Sequence, residues 1–345
     1  MNYNMKIQNT ELASGVSVII CSHNGAKKLA ETIKHLMYQK VQNNIAWEII
    51  YVDNASSDNS IDIVKSTWNQ EINPTVPLHI LREERAGKYF ALFSGVQHAN
   101  FEYFIICDDD NWLASNYVET VYNILSSDSN IGACGGISIP VFEKEDQVVP
   151  VWITRDFDRY ALGAQGKTSG DITQRKQLWG AGMASKTNIY KQIYDAHPSI
   201  FLADENTGHF IAEDTEYCVR LVLRGFNLYF DDKLAIRHFV PDERLTEAYN
   251  KKLNERIHLA SPTIEYYNFS TKIYGTLGAN FFNRIRLRII TPIRYLFAKA
   301  AFKKKKHKTI FYLLYPSFFQ KNPILEKIKS FVEDPNLPSG IYSKR

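Results

Sequence analysis

The chain has 345 residues, enough for one large domain or two ordinary ones, and its 45% hydrophobic and 23% charged residues are those of a globular protein rather than a disordered or fibrous one. Its net charge of +4 hides a division, with 22 Lys+Arg against 32 Asp+Glu over residues 1–250 and 19 against 5 over 251–345, so an acidic body is joined to a basic tail. Cys21, Cys107, Cys134 and Cys218 form no CxxC pair, which disfavours a disulfide framework or zinc site, and neither a secretory h-region nor 18 consecutive apolar residues is present; a cytoplasmic protein without a spanning helix is expected.

The first part alternates β-rich runs with helical stretches. VSVIIC (16–21) is almost wholly apolar and reads as a strand buried on both faces, followed by a helix from about Lys27 to Tyr38. Strand WEIIYV (47–52), a turn and a helix near 58–68 come next, with Asp58 as a candidate cap. Then follow strand LHIL (78–81), a helix from Tyr89 to Ala99, strand YFIIC (103–107) and a helix beginning near Ser115. Repeated units of this kind predict an α/β fold, a mostly parallel sheet with helices on both faces.

After Ile139 the rhythm changes. Residues 143–178 are polar and irregular, as in a long ligand-serving loop. A helix near 186–195, a loop containing ADENTGH, a helix from Glu213 to Arg224, and strands FNLYF (226–230) and LAIRHF (234–239) complete the body. Gly225 stands where a left-handed C-cap is expected.

Ligands of open parallel sheets bind at the carboxyl ends of the strands. Here those ends are Ser22-His23-Asn24, Asp53-Asn54 and Asp108-Asp109-Asp110-Asn111. Three adjacent carboxylates raise one another's pKa unless something neutralises them, and a hard divalent cation does so naturally. Strand alternation lets Asp108 and Asp110 face one way and Asp109 the other. A solvated acidic turn is the competing reading.

Five segments carry a family resemblance: VSVIICSHNGAKKLAETI, EIIYVDNASSDNS, RAGKYFALFSGVQHANFEYFIICDDDNWL, LWGAGMASKTNIY and AEDTEYCVRLVLRGFNLYF. In this order and spacing the chain resembles glycosyltransferase family 2, whose members have the nucleotide-sugar-binding GT-A fold. The resemblance implies that Ser22 and Asn24 line the nucleotide pocket, Asp53 bonds the base (most often uracil), and Lys88 balances nucleotide charge. It equates Asp108 and Asp110 with a DxD motif: Asp108 near the ribose, Asp110 on an Mn or Mg ion, Asp109 at the variable position. Gly180 and Gly182, in the segment Trp179 to Gly182, shape the donor-sugar and acceptor pocket, and Glu213-Asp214 is the ED motif, with Asp214 the catalytic base. Some relatives place a metal-contacting histidine near His238. The implied activity is metal-dependent, single-step inverting transfer from a nucleotide sugar, UDP-sugar favoured, to a glycan or lipid-linked saccharide in surface polysaccharide synthesis.

Read without the resemblance, Asp53 is also a plain turn residue, Glu213-Asp214 a helix start, Lys88 a surface lysine and His238 a structural histidine. A sugar nucleotidyltransferase and a non-catalytic nucleotide-sugar binder are the competing functions. SHNGAKKLA is a poor triphosphate loop, and RAGKY lacks the residues of a P-loop.

The basic tail carries ten Lys or Arg and no acid between Asn283 and Lys308. Phe282, Ile285, Ile289, Ile293, Leu296 and Ala300 mark one helical face, which Pro292 interrupts. KKKKHK (303–308) and the aromatic run TIFYLLYPSFFQ (309–320) then suit an interfacial anchor on an anionic membrane surface; helical packing on the body is the alternative, and nucleic acid is not expected. The expected organisation is a lead over 1–13, a GT-A catalytic domain over 14–242 and a basic helical region over 243–345, peripheral on the inner face of the cytoplasmic membrane.

Overall fold

The computed structural model describes residues 12–70, 76–201, 212–274 and 323–340. In chain order the elements are β1 (Ala13–Ser22), α1 (Ala26–Met37), β2 (Ala46–Asn54), α2 (Ser60–Trp68), β3 (Leu78–Glu83), α3 (Lys88–His98), β4 (Phe101–Asp108), β5 (Asn111–Leu113) and α4 (Tyr117–Ser127). There follow β6 (Ile131–Phe142), α5 (Val151–Arg155), β7 (Gly163–Ala164), β8 (Gly170–Asp171), β9 (Ala184–Lys186), α6 (Thr187–Ala196), α7 (Glu213–Leu223), β10 (Asn227–Val240), α8 (Glu247–Tyr274) and α9 (Pro323–Glu333).

One sheet runs β3-β2-β1-β4-β9-β6-β10-β5, with β7 beside β6 and β8 beside β10. Strands β3, β2, β1 and β4 are parallel; β9 runs antiparallel to β4 and β6, and β10 pairs parallel with β6 and antiparallel with β5. The near-continuous apolar strands divide their side chains between two cores by period-two alternation. Ile19, Cys21, Ile50, Val52, Phe104 and Ile106 face a core shared with α3, α6 and α7. Val18, Ile20, Ile49, Tyr51, Ile105 and Cys107 face the one built with α1, α2 and α4.

The α/β architecture is as the strand–helix alternation predicts. Helix α7 ends at Gly225 with φ +84°, Phe226 N–H bonding Leu221 O and Gly225 N–H bonding Val222 O, the paired bonds of a Schellman cap. Asp58 does serve the start of α2, accepting the Ser60 N–H at 3.1 Å. Three elements depart from the sequence reading. β6 reads poorly as a strand because IGACGG is short of β-branched residues, yet it pairs with β10 along most of its length. The two runs after Gly225 form one strand, β10, whose register with β6 breaks between Phe230 and Ala235. The 143–178 segment is no plain loop but carries α5, β7, β8 and two short 3₁₀ turns.

The α8 and α9 helices pack onto the body. Ile328 and Phe331 of α9 join the core that holds α7. The Arg224 guanidinium donates to the carbonyls of Asp334, Leu337 and Pro338. The expected basic helix with its apolar face, the KKKKHK run, the 309–320 run and the ADENTGH loop lie outside the described residues.

The break in β10 explains the glycines of β6. A Cβ on Gly136 would stand 1.9 Å from the Leu234 carbonyl oxygen, a backbone atom that cannot step aside. Gly136→Ala is therefore expected to destabilise the fold by about 2–3 kcal/mol or more, read from urea denaturation midpoints; a wild-type midpoint would show that the strand pair yields freely.

Candidate active site

A cavity of 470 Å³ opens at the carboxyl ends of β1, β2 and β4. The register sets Ser22 beside Asp53 and Cys21 beside Asp108. It is walled by Ser22, Lys28, Asn54, Lys88, Asp108, Asp109, Asp110, Gly180, Glu213, Asp214, His238 and Arg244, among others. Of the residues singled out in the sequence, Asn24, Asp53 and Gly182 are not on its wall.

The acidic triplet is not a simple alternation. β4 ends at Asp108, and Asp109 and Asp110 form the turn into β5, so period two stops there. Asp108 Oδ1 pairs with Lys88 Nζ at 2.5 Å. Asp109 points back into the fold, where Oδ1 takes Lys28 Nζ at 2.6 Å and Oδ2 takes the Ser22 hydroxyl at 2.8 Å. Asp110, 3% exposed, has Arg244 Nη2 at 3.0 Å from Oδ2 and Lys28 Nζ at 3.7 Å.

These pairings push neighbouring carboxyls in opposite directions. Burial, with Asp110 beside it, raises Asp109 above its ordinary value despite Lys28. Burial acts on Asp110 too, but His238, Arg244 and Lys28 together overcome it and hold Asp110 below the usual carboxylate range. Burial also works against the Lys88 ammonium, and Asp108 outweighs it, so Lys88 stays charged well above its ordinary pKa.

His238, 5% exposed on β10, has Nε2 3.1 Å from Arg244 Nη1 and 3.7 Å from Asp110 Oδ1. A guanidinium only donates, so Nε2 is the acceptor and carries the lone pair. Burial lowers the His238 pKa, which keeps that lone pair available near neutrality. Among the described residues no group of three or more His, Cys, Asp or Glu side chains is disposed to enclose a metal ion. Asp110 and the neutral face of His238 do fit an ion that completes its shell with ligand oxygens, as Mg²⁺ commonly does.

On the facing wall, Asp214 lies in the first turn of α7. Its Oδ2 accepts the Gly180 N–H at 2.8 Å and its Oδ1 the Thr215 N–H at 2.6 Å. A Cβ on Gly180 would lie 3.5 Å from Lys88 Nζ and 3.6 Å from Asp214 Oδ2, so the backbone there runs close between the two charges. Glu213 beside it is raised above its ordinary value by burial, with Asp214 adding to the effect.

The three residues off the wall do other work. Asn24, at φ +53°, accepts the Ser57 N–H at 2.8 Å and shapes the turn after β1. Gly182, at φ +76°, gives its carbonyl to the Tyr117 hydroxyl at 2.6 Å. Asp53 is fully buried, with Arg82 Nη1 at 3.3 Å from Oδ2, while its Oδ1 has no hydrogen-bond partner. Sequence reasoning missed Lys28 and Arg244, while Asn54 stands where the strand end placed it. Lys28 is one of three lysines in α1, and Arg244 lies six residues past His238, a spacing that no helix or strand period explains.

Residues 17–179 match the family model described as Glycosyl transferase family 2. Glycosyltransferase GlyG of Streptococcus pneumoniae serotype 4 is 36% identical over 107 residues, 31% of this chain and 34% of that protein. Cholesterol galactosyltransferase of Borreliella burgdorferi is 30% identical over 119 residues, 34% of this chain and 31% of that protein. The matched region thus spans about a third of the length of each relative. Among solved structures, GalNAc-T7 with UDP, GalNAc and Mn²⁺ superposes with a TM-score of 0.54 at 17% identity, over 96% of this chain and 56% of that one. S. aureus TarS 1–349 with UDP-GlcNAc gives 0.50 at 15% identity, over 87% and 75%. These two share the fold.

Arg244 and a divalent ion would compete for Asp110 and His238. Arg244→Gln is therefore expected to tighten Mn²⁺ binding to the ligand-free protein by roughly threefold to tenfold, measured by calorimetry. Weaker binding in the variant would make Arg244 a support of the ion site rather than its competitor.

Proposed function

Residues 17–179 are a glycosyltransferase family 2 domain with the GT-A fold, and from that premise we propose that the chain transfers a sugar from a nucleoside-diphosphate donor to an acceptor hydroxyl. The observation that carries this reading is that one cavity holds Asp214 on one wall and the Asp108–Asp110 turn with Lys88 on the other. A group that accepts a proton and groups that manage a diphosphate's charge then face the same substrate.

In the proposed reaction the acceptor hydroxyl attacks the anomeric carbon as the bond from that carbon to the diphosphate oxygen breaks. Asp214 takes the hydroxyl proton. The Gly180 and Thr215 amides fix its direction. Glu213 is less suited, since burial favours its protonated form. Lys88 sits between Asp108 and Asp214, where it can follow the negative charge that gathers on the leaving diphosphate. Attack from the face opposite the leaving group inverts the anomeric centre. We assign the base of the nucleotide to Asp53, whose unpartnered Oδ1 can take a base N–H once the turn over it admits a ligand, with uracil the favoured base. Asn24 holds that turn through Ser56 and Ser57, and Ser22 lines the pocket beside it.

A Mn or Mg ion would be held by Asp110 and His238 together with the donor, with Asp108 beside them in the cavity. When bound it supplies Lewis-acid stabilisation of the diphosphate. GalNAc-T7 was solved with UDP and Mn²⁺, which supports the same pairing here. The acceptor is a glycan or lipid-linked saccharide, in surface polysaccharide synthesis. The basic stretch 283–308 lies between α8 and α9, both seated on the catalytic body, which suits a peripheral enzyme on the anionic inner face of the cytoplasmic membrane. No helix among the described residues is long and apolar enough to cross a membrane.

Asp214→Asn is expected to lower kcat by about 10²–10⁴-fold with UDP binding within about twofold of wild type, in steady-state kinetics paired with calorimetry. Near-normal turnover would move the base elsewhere. In flotation with phosphatidylserine vesicles, the full chain is expected to rise and a 281–320 deletion to stay behind. Equal behaviour of the two would remove the membrane from the proposal.

A further inference from the structure

A second cavity, of 560 Å³, adjoins the first and shares Ala161, Ala212, Asp214, His238 and Arg244 with it. It extends from the proposed base along one face of α8. On that face Leu253, Ile257, Ala260 and Ile264 recur at steps of three and four. One step further along the same stripe, Tyr267 is buried against α7 with its hydroxyl bonded to Glu216 and Arg220.

Two features of the groove decide what it can hold. Ile257 and Ile264 are half-buried, yet they belong to none of the three apolar clusters of the fold; they line this groove. The polar groups opposite are committed to one another. Asp158 accepts the Trp179 indole N–H at 2.9 Å and pairs with Arg175, while Arg159 donates to Asn254 Oδ1 at 2.6 Å. Gln177, Glu265 and Asn268 on its wall can bond a sugar, but only an apolar body gains by covering the two isoleucines.

Resting on the glycosyl-transfer reading above, we propose that this groove is the acceptor site and that the acceptor is an amphiphile. Its hydroxyl or sugar end reaches Asp214, and its hydrocarbon part lies along α8 over Ile257 and Ile264. From Ile257 to Ile264 the helix advances about 10 Å, so several methylenes are covered. Acceptor choice then rests on apolar length in this groove, and donor choice on the first cavity.

The test uses the full chain and methyl, butyl, hexyl and octyl β-glucosides below their micellar concentrations, with binding read by calorimetry in the presence and absence of UDP. Affinity is expected to rise by about two- to fourfold per added methylene. Ile257→Asp and Ile264→Asp are expected to flatten that dependence while leaving UDP affinity and the thermal midpoint unchanged. Leu259→Asp, on the exposed side of α8 at 56% exposure, is expected to leave it intact. Affinity independent of chain length in a protein that binds UDP would overturn the proposal and spare the transferase reading. Chain-length dependence without UDP binding would keep the groove and overturn the donor site. A dependence that emerges only after deletion of 309–320 would overturn it as well, giving the groove to that stretch of the chain itself.

Discussion

Three consecutive carboxylates at the end of a buried strand impose the constraint around which this site is organised. Unpaired, they would each raise the others' pKa and oppose folding. The fold answers with a different partner for each: Lys88 for Asp108, Lys28 and Ser22 for Asp109, Arg244 for Asp110. Each partner comes from a different place in the chain, the starts of α3 and α1 and the turn after β10. Charge pairing at one corner therefore ties the two halves of the sheet together. Asp109 is spent on that structural task, which leaves Asp108 and Asp110 for the proposed donor.

The opposite wall is fixed by a second buried polar network. Glu216 of α7 accepts from Arg220, Tyr267, the Ser199 hydroxyl and the Ile200 N–H. Arg220 in turn donates to the carbonyls of His197 and Pro198. α7, α8 and the chain leaving α6 are thereby locked to one another, with every buried charge satisfied. Since Asp214 stands at the amino end of α7 and the groove wall is α8, the same network sets the proposed base against the proposed acceptor site. Precision of this kind comes from rigid helices rather than from loops.

Much of this was legible in the residues, and the parts that were not share a cause. The parallel half of the sheet announces itself because its strands are apolar on both faces, and the Asp triplet and Glu213-Asp214 stand at element ends where ligands bind. β6 and β9 were hidden because their identity depends on partners: Gly136 makes sense only beside the break in β10, Gly135 only against Gln165, and β9 has three residues. Gly182 carried family meaning in the sequence, yet its carbonyl holds Tyr117 and its conformation closes a turn. Lys28 and Arg244 were illegible for the opposite reason. Their chemistry is plain, but only the folded chain brings Lys28 across 81 residues to Asp109 and Arg244 across 134 residues to Asp110.

The balance of charge on the cavity wall also bears on what the donor must bring with it. Lys28, Lys88 and Arg244 supply three positive charges against Asp108, Asp109, Asp110, Glu213 and Asp214. Even with Glu213 and Asp109 pushed toward their protonated forms, the wall has no surplus of positive charge, and the body around it is acidic. A diphosphate entering alone would meet a field that does not favour it, at close range and low dielectric. In the proposed reaction a dication accompanying the donor would supply the positive charge that Asp110 and Asp108 lack and would leave Arg244 and Lys88 for phosphate oxygens. On this argument Lys28, Lys88 and Arg244 hold the acidic corner together, and the proposed donor and ion would enter as a pair.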